Sequence, residues 1–76
     1  TVVAGSADGP EVIVEGRRNS TLARYAGGMR RFGMSAAEIA AALQQINTDR
    51  CRPPLPRPEV DRVAASIARY EPDQVS

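Results

Sequence analysis

Apolar residues recur at helical spacing in three stretches of this chain, and the residues between the stretches carry the signals that start and stop helices. At about 100° per residue, Leu22, Tyr25, Ala26, Met29 and Phe32 fall within one arc, while Arg24 and Arg31 point the opposite way. The first helix is therefore expected to begin near Thr21 with Asn19 or Ser20 as its cap, and to stop at Gly33. Inside it, Gly27 and Gly28 each cost roughly 1 kcal/mol relative to Ala. Close approach of a neighbouring helix would offset that cost, as would a kink or a backbone contact with a ligand.

Ser35 followed by Glu38 is a capping box, in which each side chain satisfies a backbone amide of the other residue. It predicts the start of a second helix, along which Ile39, Ala42, Leu43 and Ile46 repeat on one side. That helix must end between Asn47 and Cys51, because Pro53 and Pro54 cannot continue it. Pro58 suits a first helical turn, and Glu59 and Asp61 complement the positive start of a third helix. Val60, Val63, Ala64, Ile67 and Tyr70 share one arc there, Arg62 and Arg69 lie opposite, and Pro72 marks the stop. Ahead of the helices, Val12, Ile13 and Val14 form a β-branched run long enough for one extended segment, a lid or an edge. The expected fold is all-α: a compact three-helix bundle with a short extended N-terminal leader. Residues 1–11 read as a flexible leader or linker, 12–70 as the helical domain and 71–76 as a frayed tail.

Size and composition narrow the functions. A domain of 76 residues buries only about 60% of the surface its unfolded chain exposes. With one Cys and no His, neither an internal disulfide nor a zinc set of Cys and His can be assembled. Cys51 reads as a small buried hydrophobe rather than a reactive thiol, since no His is present to activate it. No apolar run approaches the roughly 20 residues needed to cross a bilayer, and no signal peptide is evident, so a cytoplasmic location is expected. Opening at Thr1 on a Gly-, Ser- and Ala-rich stretch, the chain reads as a piece of a longer protein.

The net charge of +1 is uninformative, but its distribution is not. Between Arg17 and Arg31 stand five Arg and no acid, so an anionic ligand is drawn there. All ten basic residues are Arg, which suits phosphate geometry but follows equally from the codons of a GC-rich genome. No Ser sits in a nucleophile elbow, no Lys or His offers a base, and no phosphate-cradling glycine loop is present. No catalytic residue, metal site or cofactor is assigned, and the carboxylates Glu38, Glu59 and Asp61 read as helix-start residues. What remains is the Gly16-Arg17-Arg18-Asn19 bend before a helix start, a place that favours anions. With Arg24, Arg30 and Arg31 it makes a candidate phosphate-binding set of Arg17, Arg18, Asn19, Arg24, Arg30 and Arg31. Solvated charges beside an ordinary capped helix are the other reading of the same residues. Tyr25, Phe32 and Tyr70 are assigned to the core, which leaves a base-stacking platform poorly supported and contact mainly with backbone phosphate.

The ordered signals resemble a known family: Glu15-Gly16-Arg17-Arg18-Asn19-Ser20-Thr21-Leu22; Ala26 with Met29 to Ser35; Ile39, Ala42 and Leu43; Asn47, Cys51 and the prolines at 53, 54 and 56; and Glu59-Val60 through Ile67 to Tyr70. Over residues 12–70 the chain resembles the primase C-terminal helical domain (PriCT family), found beside primase-polymerase cores and helicase domains in phages, prophages and plasmids. The resemblance implies a non-catalytic accessory part of a DNA primase-polymerase in DNA replication. Its implied partners are single-stranded template DNA, an initiating nucleoside triphosphate, and the catalytic or helicase domain of the same protein. Two other readings stand beside it. One is a structural module that docks primase and helicase parts together through the exposed face of the third helix. The other is a helix-turn-helix DNA reader, against which the long proline-rich connection argues.

Overall fold

The computed structural model describes residues 12–74, so the expectation for the leader 1–11 lies outside the described residues, as do residues 75 and 76. Three helices carry the fold: α1 (Arg18–Arg31), α2 (Ala36–Arg50) and α3 (Arg57–Ala68), with two short strands, β1 (Ile13–Val14) and β2 (Cys51–Arg52). The strands pair in parallel, Ile13 opposite Cys51 and Val14 opposite Arg52. A strand of alternating faces buries Ile13 and leaves Val12 and Val14 exposed. The extended run before the helices thus clasps the chain that leaves α2.

Helix α1 begins earlier than its cap residues suggest. Gly16, at φ +96°, turns the chain, and Arg17 N donates to Val14 O at 3.0 Å to close the bend. Arg17 becomes the N-cap without a side-chain cap bond, and Asn19 and Ser20 lie inside the first turn. The turn geometry outweighs the capping preference of the side chains. At the other end Gly33, at φ +89°, donates to Arg30 O at 2.8 Å, and Met34 N donates to Met29 O at 3.2 Å. Those two bonds are the Schellman pattern that ends a helix on a left-handed glycine.

The capping box of α2 forms as its sequence dictates: Ser35 N donates to Glu38 Oε1 at 2.7 Å and Glu38 N to Ser35 Oγ at 3.2 Å. Ile39, Leu43 and Asn47 are the buried positions of α2, and Val60, Val63 and Ala64 those of α3. With Ile13, Leu22, Ala26, Cys51 and Leu55 the apolar ones among them make one core, beside which Asn47 is buried as a polar residue. Cys51 is fully buried in it, as a small hydrophobe should be.

Two aromatics expected in that core are outside it. Phe32 is 89% exposed and Tyr70 46% exposed. Helical periodicity places a side chain on a face only while the helix lasts and has a neighbour. Phe32 is the residue at which α1 stops, and Tyr70 lies past the end of α3 at Ala68. Within the stretch 71–76 expected to fray, Pro72–Gln74 form a 3-10 turn against α1, with Gln74 N donating to Glu71 O at 2.8 Å, and residues 75 and 76 lie outside the described residues.

Candidate nucleic-acid interface

Arg17, Arg24 and Arg31 follow one another at intervals of seven residues. Seven residues of α-helix turn through nearly two full circles and rise about 10.5 Å, so the early start of α1 puts Arg17 on the line that Arg24 and Arg31 already define. All three are exposed. Arg17 and Arg24 line one groove of about 430 Å³ together with Val12, Ile13, Thr21 and Tyr25. Arg24 and Arg31 line a second, of about 650 Å³, with Gly27, Gly28, Ile67 and Tyr70. A third groove on the other side of Arg24 holds Tyr25, Gly28, Met29, Phe32, Ile46 and Arg50. Arg24 is common to all three and is the centre of the cationic face.

The other members of the expected set are placed differently. Arg18 turns inward, where its Nη1 donates to Pro53 O at 2.6 Å and its Nε is buried without a partner. Arg30 Nε donates to Tyr70 O at 2.7 Å and its Nη1 to Met34 O at 2.7 Å, tying the end of α1 to the segment that follows α3. Asn19 faces the α3 side, in a groove with Glu59, Arg62 and Ser66. The structure therefore brings together Arg17, Arg24 and Arg31, and sets Arg18, Asn19 and Arg30 apart from them.

Sequence reasoning missed Arg50, which extends the cationic face from α2. Its guanidinium lies 6.0 Å from the centroid of the Tyr25 ring, and its Nη1 donates to the Tyr25 hydroxyl at 3.4 Å. Among the described residues the arginines donate to carbonyl oxygens and to that hydroxyl, and to no carboxylate. Three of the described acids are engaged locally, Glu38 in its capping box, Asp49 by Gln45 and Asp61 by Gln44, and α1 itself carries no acid. The charge of α1 is left for an external anion.

Below this surface, burial pushes the Cys51 thiol above its ordinary pKa, an effect that Arg18 and Arg52 partly offset. Among the described residues no group of three or more His, Cys, Asp or Glu is placed to hold a metal ion, and no helix is long and apolar enough to cross a membrane.

Fold and surface together define a small all-α domain with one cationic helix face. The sequence model of the family described as Primase C terminal 1 (PriCT-1) matches residues 9–73, and the chain belongs to that family. It is a primase-associated C-terminal domain. Among curated proteins and solved structures nothing matches it.

Proposed function

We propose that this domain is a non-catalytic accessory part of a DNA primase-polymerase that holds single-stranded template DNA, or the initiating nucleotide, beside the catalytic core during primer synthesis. The observation that carries the reading is the exposed line of Arg17, Arg24 and Arg31, whose charges face no carboxylate of their own helix. Planar guanidinium forks match phosphate oxygens in pairs. Arg24 and Arg31 line one open groove with Gly27, Gly28, Ile67 and Tyr70, which offers two cations of one helix face to the phosphates of a strand or a triphosphate.

Phosphate contact of this kind is salt-dependent. Three neutralised phosphates of a single strand give a slope of about −2 in log K against log salt. Fluorescence anisotropy of a labelled single-stranded oligonucleotide, titrated from low salt upward, measures it. Binding that weakens with that slope, and that Arg24→Ala with Arg31→Ala removes, supports the reading. An unchanged anisotropy at low salt, with the primase core also present, rejects it.

A further inference from the structure

We infer that the domain holds unpaired bases as well as phosphates, with Tyr70 and Phe32 as stacking surfaces on either side of Gly28 and Arg24. This rests on the phosphate-binding reading above and adds to it the part of the ligand that distinguishes an open strand from a duplex.

Phe32, at 89% exposure, is the chain's one phenylalanine, and Tyr70 is 46% exposed. A single exposed apolar side chain is ordinary, but a contiguous apolar patch marks an interaction site, and Phe32 shares its groove with Met29, Ile46 and Tyr25. The two grooves that these rings line share Arg24 and Gly28. An aromatic beside a cationic track is the arrangement by which proteins hold single strands, since every base has a face to stack.

Gly28 fits the same picture. A Cβ built on it meets nothing within 4 Å, so close packing of another helix does not account for this glycine in the middle of α1. Its bare backbone instead widens the surface between the two rings. Both rings sit on fixed backbone. Phe32 N donates to Met29 O at 3.1 Å ahead of the Gly33 turn, and the Tyr70 carbonyl is held by Arg30 at 2.7 Å. The Arg69 guanidinium lies 6.0 Å from the Tyr70 ring centroid. A cation takes one face of a ring, and a base takes the other.

Other occupants fit less well. A second copy in a two-fold contact sets the same patch against itself, bringing Arg24 and Arg50 towards their own counterparts. A duplex keeps its bases stacked inside and offers the rings only phosphate and sugar.

The test compares labelled oligothymidylate with an abasic oligonucleotide of the same length and a duplex, at low salt, on the intact chain. The expected result is binding of oligothymidylate at least about fivefold tighter than the abasic strand. Phe32→Ala with Tyr70→Ala should bring oligothymidylate down to the abasic value and leave abasic binding and the unfolding midpoint unchanged, while Phe32→Tyr with Tyr70→Phe keeps the preference. Arg24→Ala with Arg31→Ala should weaken both strands. Equal binding of the two strands, or indifference to the aromatic variant, overturns the stacking inference while arginine-dependent binding upholds the phosphate reading. Failure of every strand to bind overturns both. Preference of the Phe32 patch for an acidic Glu/Leu peptide over oligothymidylate also overturns the inference.

Discussion

Asn47 and Leu55 exchange two hydrogen bonds: Asn47 Nδ2 donates to Leu55 O and Leu55 N donates to Asn47 Oδ1, each at 2.8 Å. Asn47 is the buried polar residue at the end of α2, and with both halves of its amide it replaces the backbone partners that Leu55 loses in a proline-rich connection. Asn47→Ala leaves a buried N–H and a buried C=O without partners, each costing about 1–3 kcal/mol. The expected loss of stability is about 2–4 kcal/mol by urea unfolding, a large share of the total for a domain this small. Asn47→Asp should also destabilise at neutral pH, because a carboxylate accepts from Leu55 N but has nothing to donate to Leu55 O. A loss below about 1 kcal/mol for the alanine variant would show that water replaces the tie.

Local signals carried much of the fold. Ser35 with Glu38 marks the start of α2, Gly33 the end of α1 and Pro58 the first turn of α3 because each acts on amides within four residues of itself. Contacts distant in sequence were not legible. The pairing of Ile13 with Cys51 and the bond from Arg18 to Pro53 join residues far apart in the chain, and nothing in either segment alone announces the other. The same limit applies to the candidate site. The arginine-rich stretch was visible as composition, but which guanidinium groups turn inward depends on carbonyls at positions 53 and 70. Phe32 and Tyr70 followed the helical period in sequence and left the core because the helices end before the period does.

Arg18 and Arg24 should therefore separate stability from binding. Arg18→Ala removes the hydrogen bond to Pro53 O and the covered part of a half-buried side chain. A loss of about 1–2 kcal/mol is expected, with strand affinity falling little once the protein is folded. Arg24→Ala removes an exposed charge, so its effect on stability should stay within about 0.5 kcal/mol. Its strand affinity and salt slope should both drop, by about 0.7 in the slope for one phosphate contact. Paired thermal melts and anisotropy titrations on the two variants check this, and equal binding defects in both would contradict the division of roles.

Cys51 supplies a pH test of the core. Its folded pKa is raised by burial, against the partial offset of Arg18 and Arg52, so the folded state keeps its thiol proton when the unfolded chain has begun to release it. The resulting stabilisation is fully present below the unfolded thiol pKa, about 8.5, and is lost as pH rises through the folded value. Stability of the wild type should accordingly decline above about pH 8.5 more steeply than that of Cys51→Ala, which should be less stable at neutral pH. Alkylation by iodoacetamide at pH 8 should be slow in the native protein and should quicken on adding urea. Rapid native alkylation would mean that the thiol is reachable without opening the core.

Gly28→Ala should move stability and binding in opposite directions. The position lies within α1, and the added methyl meets no atom within 4 Å, so it brings helix propensity without a clash. The expected gain is about 0.5–1 kcal/mol in unfolding free energy. The same methyl projects into the surface shared by Arg24, Phe32 and Tyr70, where a base or sugar would lie against bare backbone. Affinity for oligothymidylate should fall, and more than affinity for an abasic strand, because Arg17 and Arg31, which we propose hold phosphates, are untouched. Stabilisation without any loss of affinity would place the strand elsewhere on the helix. A fall in stability would instead show that this glycine is required by the fold.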